Sequence, residues 1–127
     1  MKKILLVDDD PFIRDVYLKQ LQHEGYHVDM ADTSQKALEK ITATHPDLLI
    51  LDLNLGGSEG PRDGIDILKF IRENQTTKNL KIIVISNYNK DQYPELSQLP
   101  YFGVLKTFSK VQTTLREVTD EIHKILN

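Results

Sequence analysis

Three short aliphatic runs punctuate the chain: Ile4-Leu5-Leu6-Val7, Leu48-Leu49-Ile50-Leu51 and Ile82-Ile83-Val84-Ile85. No polar position interrupts any of them, and each stops abruptly at a polar residue. A strand with one wet face alternates apolar and polar positions. An unbroken run predicts a strand buried on both faces, as in a parallel sheet covered by helices. Val28-Asp29-Met30-Ala31 alternates instead, and Val104-Leu105 is very short. These two segments predict edge strands.

Helical periods fill the intervals. Ile13, Val16, Tyr17, Gln20 and Leu21 recur at helical spacing, with Asp10 placed to cap, Pro11 at the first helical position and Gly25 to stop the chain. Ala37, Leu38 and Ile41 mark a second helix, entered at Asp32-Thr33-Ser34 and ended before Pro46; Ile67, Leu68 and Ile71 mark a third. Lys90 to Leu99 carries a weak fourth, which Pro94 restricts to a short helix or a late start. Val111, Leu115, Val118, Ile122, Ile125 and Leu126 form the clearest pattern, with Ser109 as the expected cap. The order is a strand–helix unit repeated five times. Right-handed crossovers and two edge strands then give an α/β fold: a five-stranded parallel sheet of order 2-1-3-4-5 with helices on both faces, of the flavodoxin-like doubly wound kind. Residues 1–127 read as one domain, with no output domain expected after the last helix.

Composition narrows the chemistry. The absence of cysteine excludes disulfides, thiolate metal sites and cysteine nucleophiles. Net charge is −3, so generic attraction to a nucleic-acid backbone has no support. No apolar run reaches the ~20 residues of a membrane span, and Met1-Lys2-Lys3 leads directly into a short apolar run and three aspartates. A cytoplasmic protein without nucleic-acid or membrane partners is expected.

In a sheet of this order, ligands bind beyond the carboxyl ends of the strands, at the switch point between the first and third. The first strand ends in Asp8-Asp9-Asp10, the third in Asp52, the fourth in Ser86 and the fifth in Lys106. Asp8, Asp9 and Asp52 should converge there, while Asp10 caps the first helix. Clustered carboxylates repel one another unless something positive sits among them. An all-oxygen donor set suits Mg²⁺ or Mn²⁺ better than zinc. Lys106 supplies a second positive charge; Lys110 competes for the part, and Lys106 is favoured. Ser86 offers a hydroxyl to a phosphoryl oxygen. A divalent cation, an ammonium and a strand-end carboxylate make a phosphoryl-transfer site with an aspartate as the covalent acceptor. Gly56-Gly57-Ser58-Glu59-Gly60 lacks the Gly-Lys-Ser/Thr of a nucleotide-binding P-loop. The four histidines are scattered and propose no zinc site.

The chain resembles the receiver domain of two-component response regulators. The matching pieces are Ile4 to Asp9 (ILLVDD), Pro46 to Asp52 (PDLLILD), Asp63-Gly64 with Ile65 to Glu73 (IDILKFIRE), Ile82 to Ser86 (IIVIS), and Lys106. The resemblance implies that Asp52 is the phosphoacceptor, and that Asp8, Asp9, Asp52 and the backbone carbonyl of Asn54 bind Mg²⁺. It assigns the hydroxyl and lysine roles to Ser86 and Lys106. The implied function is signalling, not enzymatic turnover: a phosphoryl group is taken from a histidine kinase or histidine phosphotransfer protein and read out by a downstream protein.

Several positions depart from the family's pattern. Thr107 follows Lys106 where a proline is usual, Gly56 replaces a proline, and Asn87 replaces a small residue after the hydroxyl. Gly103 stands where an aromatic switch residue is expected, with Phe102 beside it, and the Asp52–Gly64 loop is longer than usual. Two rival readings follow. A receiver-like module could act through its surface without phosphorylation. A Mg²⁺-dependent phosphohydrolase would need a second acid where Asn54 stands.

Overall fold

The computed structural model describes residues 1–55 and 60–127. Five parallel strands, β1 (Lys3–Val7), β2 (His27–Ala31), β3 (Leu48–Asp52), β4 (Lys81–Ser86) and β5 (Val104–Ser109), form one sheet in the order β2-β1-β3-β4-β5. Helices α1 (Pro11–His23), α2 (Ser34–Thr44), α3 (Arg62–Glu73) and α4 (Leu115–Leu126) cover it, with a 3₁₀ helix over Pro94–Phe102 between β4 and β5.

Alternate residues of the central strands feed two separate cores. Leu5, Val7, Leu49, Leu51, Ile82 and Val84 pack with Ala37 and Ile41 of α2, Ile67, Leu68 and Ile71 of α3, and Leu96 and Leu99 of the 3₁₀ helix. Ile4, Leu6, Leu48, Ile50, Ile83 and Ile85 pack on the other face with Leu21 of α1, Phe108 of β5, and Val118, Ile122 and Leu126 of α4. This is why the three runs are apolar at every position: neither face of β1, β3 or β4 meets water.

The helix starts follow local chemistry. Asp10 Oδ1 accepts from the Phe12 and Ile13 amides at 2.9 and 3.4 Å, and Thr33 Oγ1 accepts from Lys36 N–H at 3.1 Å. Each such cap contributes about 1 kcal/mol. The cap of α4 is Thr114 and not Ser109: Thr114 and Glu117 bond reciprocally in a capping box. Ser109 instead ends β5, and Val111 lies outside the helix with 79% of its surface exposed. The weak fourth helix is realised as 3₁₀, with Pro94 in its first turn and Pro100 inside it. Gly103 ends that helix at φ +82°, a left-handed conformation that glycine adopts without strain. At the far end of the molecule His123 of α4 contacts Glu24 through Nε2 and the Tyr26 hydroxyl through Nδ1, tying the last helix to the α1–β2 junction.

The topology puts the ends of β1 and β3 side by side, with β4 next. Gly64, in the first turn of α3, lets that helix approach β3 closely. A Cβ there would stand 2.5 Å from Leu53 Cδ2 and 3.1 Å from Leu53 Cα. The expectations about Gly56 and the body of the glycine loop lie outside the described residues. Gly64→Ala should destabilise the fold by about 1–3 kcal/mol, the usual cost of overpacking against backbone, read as a lower urea midpoint at unchanged slope.

Candidate functional site

The end of β1 turns sharply at Asp8, whose Oδ1 accepts from Asp10 N–H at 2.8 Å. The end of β3 repeats the device: Asp52 Oδ1 accepts from Asn54 N–H at 2.8 Å. Each turn buries its carboxylate, leaving Asp8 3% and Asp52 2% exposed. Asp8, Asp9 and Asp52 each present one carboxylate oxygen, and these three oxygens lie within 4.8 Å of one another. Two ligands of an octahedral Mg²⁺ lie about 3–4 Å apart, given metal–oxygen bonds of about 2.1 Å. The acid trio is compatible with that spacing, and its hard anionic oxygens are the donors Mg²⁺ takes.

The lysine at this cluster is Lys110. Its Nζ meets Asp52 Oδ2 at 2.6 Å, and that buried oxygen has no hydrogen-bond partner besides this ion pair among the described residues. Lys106, the lysine expected from the sequence, lies elsewhere. The β4–β5 register slips between Ile82 and Ile83, which pair with Val104 and Lys106, so Leu105 is an extra residue bulged out of the ladder. The strand then continues to Ser109, opposite Ser86. Lys106 is therefore a mid-strand residue opposite Ile83, exposed to solvent, with Nζ 5.8 Å from the centre of the Phe108 ring. Lys110 is the first residue past the strand, held by its N–H to the Ser86 carbonyl at 3.2 Å. The polar-looking run Lys106-Thr107 hid this extension, because an edge strand with a solvated face need not be apolar. Phe108, buried among the α1 and α4 side chains, was the one signal that the strand ran on. Counted from Lys110, Thr107 stands three residues before it and Val111 one after.

Ser86, 7% exposed at the end of β4, accepts through Oγ from Tyr88 N–H at 2.9 Å. Asn54 receives Asn87 N–H on its side-chain oxygen at 3.3 Å, linking the loops after β3 and β4. Asp52 thus lies between Lys110 on the α1/α4 side and Asn54 and Tyr88 on the α3 side.

Charge crowding perturbs the titration of the site. Burial pushes the Asp8 carboxyl up to about 7, reinforced by the neighbouring Asp52 charge and opposed by Asp10 N–H and Lys110. For Lys110 burial disfavours the ammonium, but the hydrogen bond to Asp52 and the charges of Asp52, Asp8 and Asp9 outweigh it and raise its pKa. Beside the cluster, a cavity of about 220 Å³ is lined by Asp8 and Lys110 and by apolar side chains that include Ile13, Tyr17 and Phe108. Burial, then Asp8 and Asp52, push the Tyr17 phenol up to about 12. Phe12 and Val16 also line it, 75% and 38% exposed.

Residues 4–118 match the family model of the response regulator receiver domain. Sporulation initiation phosphotransferase F of Bacillus subtilis is 33% identical over 126 residues, covering 98% of this chain and 94% of that protein. Response regulator ArlR of Staphylococcus saprophyticus is 35% identical over 125 residues, and there the chain spans only 53% of the relative's length. Among solved structures, the response regulator TrrA of Thermotoga maritima, in complex with Mg²⁺ and BeF, superposes with a TM-score of 0.78 at 32% identity. That match covers 99% of this chain and all (100%) of that one. A CheY-like receiver domain protein of Methanospirillum hungatei superposes with a TM-score of 0.83 at 26% identity, over 98% and 92% of the two chains.

Two measurements check this geometry. Lys110→Ala leaves the buried Asp52 carboxylate without its cation and should cost about 3 kcal/mol at pH 8, the low end for a broken buried pair. Lys106→Ala should stay within about 0.5 kcal/mol of wild type. The second concerns pH. A carboxyl whose folded pKa lies above its unfolded value stabilises the fold while protonated and loses that contribution as it ionises. In chelator, stability should therefore fall as pH rises from 3.8 through about 7, and Asp8→Asn should flatten the slope of urea midpoint against pH.

Proposed function

This chain belongs to the family of response regulator receiver domains of two-component signalling, and on that footing we propose that Asp52 is its phosphoacceptor. The observation that carries the assignment is Asp52 Oδ2: buried at the switch point, with the Lys110 ammonium at 2.6 Å as its partner among the described residues. An oxygen so placed has lone pairs left beyond that one contact for an incoming electrophile.

The donor is a phosphohistidine on a sensor kinase or phosphotransfer protein. Asp52 Oδ2 attacks phosphorus, the phosphorus–nitrogen bond breaks, and the imidazole leaves with the bonding pair and takes up a proton. Lys110 Nζ moves from the carboxylate to a phosphoryl oxygen as charge shifts there, and Ser86 Oγ turns from Tyr88 N–H to donate to another. Asp8 and Asp9, with Asp52 and the Asn54 carbonyl, would hold Mg²⁺, which supplies charge neutralisation to the phosphoryl oxygens. Mn²⁺ satisfies the same oxygen donors. Asp9→Ala removes one of the carboxylates and should weaken Mg²⁺ binding about tenfold or more, measured by titration. Attack of water on the acyl phosphate later frees Asp52, so the chain supports its own dephosphorylation.

The donor reaches Asp52 over Phe12 and Val16, exposed apolar residues of α1 that line the cavity beside Asp8 and Lys110. A helical donor face packed there would bring its imidazole to Lys110.

Treatment with acetyl phosphate and Mg²⁺ should add one phosphoryl group by intact mass to wild type and none to Asp52→Asn. Equal addition to both would overturn the assignment. Phe12→Ala should slow transfer from a histidine phosphotransfer protein about tenfold, the effect of losing one apolar contact worth ~1.4 kcal/mol. It should leave acceptance from acetyl phosphate unchanged.

A further inference from the structure

At the end of the molecule away from the acid trio, α1 and α4 lie over the same face of the sheet, where Leu21 packs with Val118, Ile122 and Leu126. Beside that contact the two helices part around a cavity of about 480 Å³. Gln20 and Glu24 form one wall, and Arg116, Thr119, Asp120 and His123 the other. Among the described residues, His123 is the α4 side chain whose hydrogen bonds bridge this gap. Its imidazole is the kind of side chain whose charge changes between about pH 5 and 8.

His123 Nε2 meets Glu24 Oε1, and an ionised carboxylate only accepts, so Nε2 carries a hydrogen. Nδ1 faces the Tyr26 hydroxyl at 2.8 Å, and Asn127 Nδ2 donates to the Tyr26 oxygen at 3.3 Å. A phenol donates to a bare Nδ1 or accepts from a protonated one, so Tyr26 serves either form of the ring. Glu24 does not: its bond with the ring is charge-assisted on both sides only while the imidazole is charged, and is then about twice as strong. Gln20 Nε2 donates to the second Glu24 oxygen at 2.7 Å and steadies the carboxylate. Burial works to raise the Glu24 pKa, but the bonds from Gln20 and His123 and the charges of His123 and His23 outweigh it and lower it. Glu24 is therefore ionised wherever an imidazole titrates. Asp120, one turn back on α4, favours the charged ring, while Arg116 and His23 oppose it. Lys124 is turned to Glu121, 4.0 Å away.

We propose that His123 is a proton-operated clasp between α4 and the end of α1. Charged, it forms an ion pair with Glu24 and holds α4 firmly beside α1. Neutral, it keeps the same partners in weaker bonds, and α4 is held less. The step is exchange of one proton with solvent at Nδ1, and the Tyr26 oxygen accepts where its hydroxyl had donated. The contribution is present while Glu24 is ionised and the ring is charged. It fades as pH rises through the titration of the imidazole, and again as pH falls through that of Glu24. Phe12 and Ile13 of α1 and Leu115 and Val118 of α4 also wall the cavity beside Asp8 and Lys110. The clasp thus joins the two helices that flank the site, whether or not Asp52 is the acceptor.

The test compares urea midpoints of wild type, His123→Gln, Glu24→Gln and His23→Gln in chelator at pH 5.5 and pH 8. Asp8 titrates alike in all four, so each difference from wild type isolates the substituted group. A glutamine at position 123 can still donate to Glu24 but carries no charge. The midpoint lost in His123→Gln should be about twice as large at pH 5.5 as at pH 8. Glu24→Gln should show the same pattern, and His23→Gln should not. The double variant His123→Gln with Glu24→Gln should lose little more at pH 5.5 than either single one, because the two act through one contact. Losses that are equal at the two pH values, or larger at pH 8, would overturn the proposal, since a bridge without a proton-dependent part loses the same at both. Should His123→Gln not fold, Glu24→Gln decides by the same comparison. A pH dependence that vanishes in His23→Gln and persists in His123→Gln belongs to His23 and overturns the proposal as well.

Discussion

The ion pair between Lys110 and Asp52 is the contact around which the site is organised. Three carboxylates at the ends of two adjacent strands repel one another, and the Lys110 ammonium at 2.6 Å from Asp52 Oδ2 offsets part of that repulsion. The cost of the remaining crowding falls on Asp8, whose carboxyl is pushed up to about 7. The protein therefore holds its site in a charge-strained state that an additional cation would relax. Stability and chemistry draw on the same few atoms.

That pair exists only because the sheet is built as it is. Burying both faces of β1, β3 and β4 places their last residues at one edge of a dry core, where the chain must turn and where the turns orient the Asp8 and Asp52 carboxylates. The close approach of α3 at Gly64 and the bond from Lys110 N–H to Ser86 bring the loops after β3 and β5 to that edge. The length of β5 sets which lysine arrives there: the strand runs on to Ser109, opposite Ser86, so Lys106 stays mid-strand and Lys110 stands at the strand's end beside Asp52.

The region around Ser86 departs most from the expected switch. Gly103 serves as the left-handed terminator of the 3₁₀ helix, and Phe102 packs partly into the core beside it. Thr107 stands three before Lys110 and lines a cavity of about 210 Å³ with Ser86, Tyr88, Leu96 and Leu99. The aromatic rings here come from the loop after β4 instead, as the Tyr88–Tyr93 pair. The Ser86 hydroxyl is tied to this loop by the bond its Oγ accepts from Tyr88 N–H.

Hydrophobic patterning alone determined the sheet: unbroken aliphatic runs have no alternative but burial on both faces, and strict alternation of strands with helical periods leaves few topologies. The acids at the switch point were legible for the same reason, since Asp8, Asp9 and Asp52 directly follow those runs. The cap Asp10 was legible beside a clear period, the entry Asp32-Thr33-Ser34 contained the cap Thr33 without singling it out, and the cap was misread at Ser109, where Thr114 makes the capping box with Glu117. Tertiary structure alone decided the rest. The length of β5 depends on pairing with β4, the placement of Lys110 and not Lys106 beside Asp52 follows from that length, and the contact of Tyr93 with Gly60 joins two loops far apart in the chain. Local sequence carries periodicity, because periodicity expresses which face is buried. It does not carry the register of an edge strand, because a half-solvated strand satisfies its side chains in more than one alignment, and only the neighbouring strand's hydrogen bonds select among them.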